Sequence, residues 1–230
     1  MDYSKTPVLP DVVSMPLVTP ASQIFGLIRE KKHVIWDWNG TLLDDLDHAI
    51  SSANQFLDEH GLERLNRERH RKIFGFPIRQ FYVDLGFDFA RESFESLCER
   101  YGDRFMTGFE DLKLHPGMLE LLGQIKAAGI SQSILSASDQ PSLDRLMEHY
   151  ELTSYFDRTF GISDRLAHSK IERGRELISL SPHELSDTLM IGDTIHDWEV
   201  AQALGIDVLL VGHGHQCGTR LRAVHHLVVG

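Results

Sequence analysis

The stretch His33-Val34-Ile35-Trp36-Asp37-Trp38-Asn39-Gly40-Thr41-Leu42-Leu43-Asp44-Asp45 decides the fold. An apolar run, Val34 to Trp36, stops abruptly at the carboxylate of Asp37. A Gly-Thr pair follows, then two leucines and two more acids. A buried strand that delivers an acid at its carboxyl end and then turns on glycine is how an open α/β sheet builds a site. Far downstream, Ile191-Gly192-Asp193-Thr194-Ile195-His196-Asp197 repeats that logic.

Outward from His33–Asp37, read as the first strand, a helix is predicted from about Asp47 to His60. Ala49, Ile50, Ala53, Phe56 and Leu57 fall on one face, and Gly61 ends it. From there to Leu114 the spacing stays helical, broken only at Gly75-Phe76-Pro77 and at Gly86, so 47–113 reads as an all-helical insertion. After His115-Pro116-Gly117 the pattern alternates. Helices are predicted at Met118–Ala128, Pro141–Tyr150, Lys170–Leu180 and Asp197–Leu204. Strands are predicted at Ile130–Leu135, Arg158–Phe160, Thr188–Ile191 and Val208–Val211, with a last apolar run at Leu227–Val229. Such alternation implies a Rossmann-like, doubly wound parallel sheet. The core is then 21–46 and 114–230, with a helical cap at 47–113 and hinges near Asp45–Asp47 and Leu112–His115. Residues 1–20 hold Pro7, Pro10, Pro16 and Pro20 and read as an extended arm, either a loose tail or a strap onto a partner subunit. Ser22 is placed to cap a short helix through Glu30.

The chain has 230 residues, enough for one large domain or a core with an insertion. With 42% hydrophobic and 25% charged residues, disorder and coiled coil are excluded. A net charge of −11 argues against nucleic-acid backbones and anionic membranes as partners. Two cysteines, Cys98 and Cys217, are too few for a disulfide framework and fit a reducing, cytoplasmic setting. No basic start with a long apolar region marks a signal peptide, and no apolar run approaches the ~20 residues of a membrane span. A monomer or a homodimer is expected.

Polar residues mark the strand ends in order: Asp37, Ser136, Lys170 after the short strand, and Asp193 with Asp197. In a parallel sheet all carboxyl ends share one edge, so these groups converge. Each has a task in phosphoryl transfer, where positioning and electrostatics supply nearly all the catalysis. Asp37 is the candidate nucleophile. Asp37, Asp193, Asp197 and a backbone carbonyl of the Asp37 loop would suit Mg²⁺, which takes oxygen ligands. Lys170 would neutralise Asp37 and the phosphoryl oxygens, and the Ser136 hydroxyl and nearby backbone N–H groups would bind those oxygens. Gly40 permits the sharp turn, and Thr41 can bond back to it. Plainer readings stand beside these. Ser138 competes with Ser136, and Lys170 has polar neighbours in His168 and Ser169. Asp44 and Asp45 read as helix-start acids rather than ligands. His213-Gly214-His215 and His225-His226 read as polar loop, since their spacing fits no standard zinc site. Of Trp36 and Trp38, one is expected against a helix and the other near the cap.

D-x-N-G-T-L-L-D, a serine ending a hydrophobic strand, a lone lysine and G-D-x-x-x-D, in that order, resemble the haloacid dehalogenase-like (HAD) superfamily. The helical block resembles that family's helical cap. Gly75-Phe76-Pro77-Ile78-Arg79 resembles the cap segment facing the active site in phosphoglycolate-phosphatase-like members. The resemblance implies a Mg²⁺-dependent phosphatase for a small phosphorylated metabolite, with Asp37 forming an aspartyl-phosphate that water hydrolyses. It implies metal ligation by Asp37, the Asn39 carbonyl, Asp193 and Asp197. It places substrate binding at Thr41, Ser136, Ala137 and Lys170. Arg79 reads either as taking an anionic group of the substrate from the cap or as a surface arginine.

Asn39 departs from the pattern, because phosphatases of the family carry a second Asp there as acid and base. An amide does neither near neutral pH. Three readings follow: substrates with good leaving groups, a proton handled by His196 or a cap residue, or a slow or silent member. The rivals are a phosphate-binding protein without catalysis, a phosphonoacetaldehyde-hydrolase-like enzyme with Lys72 as Schiff base, and a metal-free C–halogen hydrolase.

Overall fold

The computed structural model describes residues 20–163 and 170–230. The arm expected over 1–20 lies outside the described residues, except Pro20, which opens α1 (Pro20–Ile28). The strand β1 (His33–Trp36) is buried at every position. After it come the short β2 (Leu43–Asp44) and four helices: α2 (Leu46–His60), α3 (Arg67–Ile73), α4 (Ile78–Leu85) and α5 (Phe94–Phe105). The alternating part is β3 (Lys113–Leu114), α6 (Met118–Ala127), β4 (Ser131–Asp139), α7 (Gln140–His149) and β5 (Arg158–Ile162). It continues with α8 (Lys170–Ser179), β6 (Thr188–Gly192), α9 (Ile195–Leu204), β7 (Asp207–Val211), α10 (Gly218–Arg222) and β8 (Val228–Val229).

Six strands form one parallel sheet in the order β5-β4-β1-β6-β7-β8. The chain builds outward from β1 through β4 to β5, then returns past β1 to β6. The reversal leaves a crevice at the carboxyl ends of β1, β4 and β6. Trp36 pairs with Ile134 on one side and Ile191 on the other, so the next residue, Asp37, emerges into that crevice. The two-residue period of β1 sends Val34 and Trp36 into one apolar layer and Ile35 into the other. Burial of each such side chain contributes about 1.5–3 kcal/mol.

Trp36 donates its indole N–H to Gln132 Oε1 at 3.1 Å. Trp38 is also fully buried in the core, 5.8 Å from the Tyr150 ring. Its backbone carbonyl accepts from both Leu42 and Leu43 N–H at 3.0 Å, and this tight turn folds Trp38 back onto the sheet.

Helices α2 to α5 surround their own apolar cluster, with Phe56, Leu57, Phe81 and Leu97 at its centre. Gly61 ends α2 in the left-handed region (φ 68°), and the side chains of Asn66 and Ser93 cap α3 and α5. The insertion joins the core through a small antiparallel ribbon, Leu43 opposite Leu114 and Asp44 opposite Lys113. Two-residue strands are too short to leave an alternating pattern in the sequence. β4 runs three residues beyond the predicted Ser136 end, with an irregularity in its β5 pairing between Leu135 and Asp139.

Candidate active site

Asp37 keeps a sheet hydrogen bond from its own N–H to the Ile191 carbonyl (2.8 Å), which fixes the backbone while the side chain turns into the crevice. Lys170, at the start of α8, places Nζ 2.6 Å from Asp37 Oδ1 and 2.6 Å from Asp197 Oδ1. Asp197 sits in the first turn of α9, where its Oδ2 accepts the Thr194 N–H (3.0 Å) and hydroxyl (2.7 Å). Helix capping therefore orients a site residue. The Thr41 hydroxyl lies 3.0 Å from Asp37 Oδ2 and 3.3 Å from Asp193 Oδ1. The His215 N–H donates to Asp193 Oδ2 at 2.5 Å. Gly40 is required at its position: it has φ +74°, and a Cβ there would collide with the Asp193 carboxylate.

Burial lifts Asp37 to about 6 against the opposing pull of Lys170. Burial also lifts Asp193, to about 8, with His215 pulling the other way. In Asp197 the burial effect is outweighed by Lys170 and Thr194, and its pKa falls below the ordinary carboxylate range. Burial disfavours the charge on Lys170 as well, but its two carboxylate partners more than offset this and raise it. Asp37, Asp193 and Asp197 each offer an oxygen within 4.8 Å of the others, all buried. Among the described residues, three acids face one ammonium here. A hard divalent cation with oxygen ligands fits this donor set, and a thiolate- or imidazole-seeking metal does not.

Asn39 is held from both ends. Its Oδ1 accepts the Ser138 hydroxyl (2.8 Å) and its Nδ2 donates to Asp45 Oδ2 (2.9 Å). Asp45 stands at a helix start, as read from the sequence, but its side chain serves the site. It stands at the N-cap of α2 but makes no capping bond, and it is wholly buried. Its Oδ1 takes the Gly40 N–H (2.7 Å) and lies 3.1 Å from His215 Nε2. Burial opposes the Asp45 charge, yet His215, Asn39 and Gly40 together lower its pKa. His215 in turn is lifted to about 9, Asp45 outweighing burial. A protonated His215 donates from both ring nitrogens, so His70 Nε2, 3.0 Å from His215 Nδ1, accepts. Burial keeps His70 neutral, its pKa lowered to about 3.

The crevice and the inner faces of α2, α4 and α5 line a half-open cavity of about 210 Å³. Asp37, Asn39, Ser136, Ala137, Lys170, Asp193 and Asp197 form its floor, and aromatic side chains from the insertion form its wall. Both serines of the open alternative line it: Ser136 Oγ accepts the Ser138 N–H (3.0 Å), while Ser138 holds Asn39. The insertion is fastened to the loop after β7. There Arg71 donates to the Gly212 and Gln216 carbonyls, and Gln216 Nε2 and Arg220 donate to the Phe74 carbonyl at 2.9 and 2.6 Å.

The family model for haloacid dehalogenase-like hydrolases matches residues 34–211. The chain belongs to that family. Among its relatives, the tyrosine-protein kinase PtkA of Mycobacterium tuberculosis is 28% identical over 185 residues, covering 79% of this chain and 62% of that protein. The chain thus spans less than two thirds of that relative's length. A phosphoglycolate phosphatase of Nitrosospira multiformis is 27% identical over 198 residues, covering 81% and 86%. The solved structure of a predicted phosphatase from Clostridium acetobutylicum superposes with a TM-score of 0.74 at 22% identity, covering 87% and 94%, which shows a shared fold.

Within this HAD-family site, the four motifs read from the sequence meet on one floor. Arg79 does not join them. It is exposed, and its guanidinium lies 4.3 Å over the Phe89 ring on the outer side of the insertion, because Phe89 and Phe94 give it a cation–π seat there. Lys72 is exposed too, outside the cavity, so the Schiff-base reading loses its lysine. His196 stacks on Phe76 (4.3 Å between ring centroids) and is absent from the cavity lining. Sequence reasoning missed Asp45, His70 and His215 as site residues. His70 lay in a strongly basic run and His215 in a polar loop, and nothing local in either signals a partner more than a hundred residues away.

Proposed function

We propose that this HAD-family protein is a Mg²⁺-dependent phosphatase of a small phosphorylated metabolite, working through an aspartyl-phosphate on Asp37. The observation that carries the reading is Asp37 at the end of β1, on a cavity floor, with Lys170 at 2.6 Å and two further buried acids beside it. The phosphatase name of the Nitrosospira relative supports it. Mg²⁺, held by the Asp37, Asp193 and Asp197 carboxylates and the Asn39 carbonyl, would offset the charge of the phosphoryl oxygens. An Asp37 oxygen attacks phosphorus and the leaving oxygen departs; water then releases phosphate and regenerates the carboxylate. Lys170 offsets the repulsion between Asp37 and a phosphate dianion. Ser136 Oγ–H and the backbone at Ala137 bind the transferring oxygens.

In this reading 47–113 acts as a cap over a core of 21–46 and 114–230, and it excludes water from the floor. The protein works in the cytoplasm, as a monomer or homodimer. A kinase reading, prompted by the mycobacterial relative, calls for room for a nucleotide. The cavity of about 210 Å³ is below the ~300–1,000 Å³ usual for larger ligands. Phosphate release from acetyl phosphate and 2-phosphoglycolate, with Mg²⁺ and with EDTA, tests the proposal. Release that needs Mg²⁺ and is lost in Asp37→Asn is the expected result. Release unchanged by EDTA or by Asp37→Asn would sink it, and EDTA-resistant C–halogen cleavage would install the rival hydrolase.

A further inference from the structure

Resting on the phosphatase reading, we infer that the substrate is an aryl phosphate: a phosphoryl group on a phenol-type hydroxyl, carried by a single uncharged ring. Three independent features of the cavity converge on this class.

The first is the wall. Phe56, Phe74, Phe81, Tyr82, Phe87 and Tyr101 face the space above Asp37, with alanine and aliphatic side chains between them. The rings interlock edge-on: Phe74 and Phe81 have centroids 5.1 Å apart at 79°, and Tyr82 and Phe94 behind them 5.8 Å apart at 82°. Among the described residues, the cationic lining groups are Lys170 and His215, both at the floor. Both are already committed, to Asp37 and Asp197 and to Asp45. A second anionic group at the far end of a substrate, such as a carboxylate, would be buried among rings without a partner, which is heavily penalised. An aromatic body fits there through burial and edge-to-face contact.

The second is size. An apolar cavity of ~150 Å³ holds one benzene molecule. The cavity here, about 210 Å³ among the described residues, takes one ring with its phosphoryl group on the floor.

The third is Asn39. The side chain at the position beside the nucleophile carries no transferable proton. It cannot turn away to admit another donor while Ser138 and Asp45 hold both of its ends. An alkoxide leaves poorly without protonation, whereas a phenol, with a pKa of ~10, leaves as its anion. The step balances without an acid. Asp37 Oδ forms a bond to phosphorus while the P–O(aryl) bond breaks, its electron pair going to the phenolate. Water then attacks the aspartyl-phosphate, the Asp37 carboxylate departs, and the proton lost by water ends on the phenolate. The sum is aryl phosphate dianion plus water giving phenol and hydrogen phosphate.

The test compares kcat/KM on the Mg²⁺-loaded full chain for phenyl phosphates of graded phenol pKa, benzyl phosphate, acetyl phosphate and 2-phosphoglycolate. Phenyl phosphate should exceed 2-phosphoglycolate by ~100-fold, rates should fall steeply as the phenol pKa rises, and benzyl phosphate should lag its phenyl analogue. Phe81→Leu should lower the ratio of phenyl to acetyl phosphate kcat/KM by ~10-fold. Binding provides a readout independent of turnover: phenylphosphonate should bind the natural chain at least ~10-fold more tightly than methylphosphonate. Equal binding of the two phosphonates, or a flat leaving-group dependence with benzyl phosphate or 2-phosphoglycolate preferred, would overturn the aryl class while leaving a phosphatase. No phosphate release from any of them, acetyl phosphate included, would instead overturn the phosphatase reading and this inference with it.

Discussion

Replacing Asp45 by asparagine removes one charge from the buried network and leaves its shape nearly intact. Asp45 accepts from Asn39 Nδ2 at 2.9 Å, Gly40 N–H at 2.7 Å and His215 Nε2 at 3.1 Å. An amide keeps one acceptor oxygen and turns an NH₂ group toward groups that are themselves donors. Removing one partner of a buried ion pair typically costs about 3–5 kcal/mol. For a chain of this size each kcal/mol lowers Tm by about 2–4 °C, so Asp45→Asn should melt roughly 6–20 °C lower. The loss should depend on pH. The His215 pKa is raised from 6.5 to about 9, so its contribution is fully present below pH 6.5 and is lost as pH rises through 9. The Asp45 pKa is lowered, so its contribution is present above the ordinary carboxylate range and is lost as pH falls through the folded value. The difference between the natural chain and the variant should therefore be largest between about pH 5 and 7 and shrink above pH 9. Thermal melts at pH 6.5 and 9.5, with NMR titration of the His215 ring, measure this. A variant within ~1 °C of the natural Tm at pH 6.5, or a His215 that still titrates near 9 without Asp45, would refute the reasoning.

Asn39→Asp should raise turnover of alkyl phosphates toward the ~10²–10⁴-fold that general acid–base help provides, and aryl phosphates less. It should also lower Tm, because two carboxylates would then share the Asp45 site. If no substrate gains, the missing-acid argument fails. Burial lowers the His33 pKa from 6.5 to about 4, so below pH 6.5 only the unfolded chain takes up its proton. Stability should fall between pH 6.5 and 4 by on the order of 3 kcal/mol from this group, and His33→Gln should flatten the slope in denaturant melts. Arg79→Ala should change kcat/KM by less than ~2-fold, since its guanidinium seats on Phe89 outside the cavity. A large loss would return Arg79 to substrate binding.

The parts legible in the sequence are those with short-range causes. β1 could be read because three buried apolar residues, Val34 to Trp36, end at a carboxylate, and β6 because it repeats the pattern. The order of polar strand ends sufficed to bring Asp37, Ser136, Lys170 and Asp193 to one edge, since parallel topology does the rest. The buried role of Asp45 was missed because a helix-start acid and a buried ion-pair partner look alike until His215, 170 positions away, is seen beside it. Arg79 was misread for the converse reason. It lies on α4, and whether it faces the floor or the outer rings depends on the rotation of that helix, which local spacing leaves open. The two-residue ribbon and α10, with five residues, are too short to carry a periodic signal.

The central claim is that Asp37 carries the phosphoryl group. Acid quench of the Mg²⁺-loaded chain during turnover of acetyl phosphate, followed by peptide mass mapping, tests it most directly. A single phosphoryl adduct on Asp37, absent in Asp37→Asn, is the predicted result. An adduct on another residue, or undiminished phosphate release from Asp37→Asn, would contradict it.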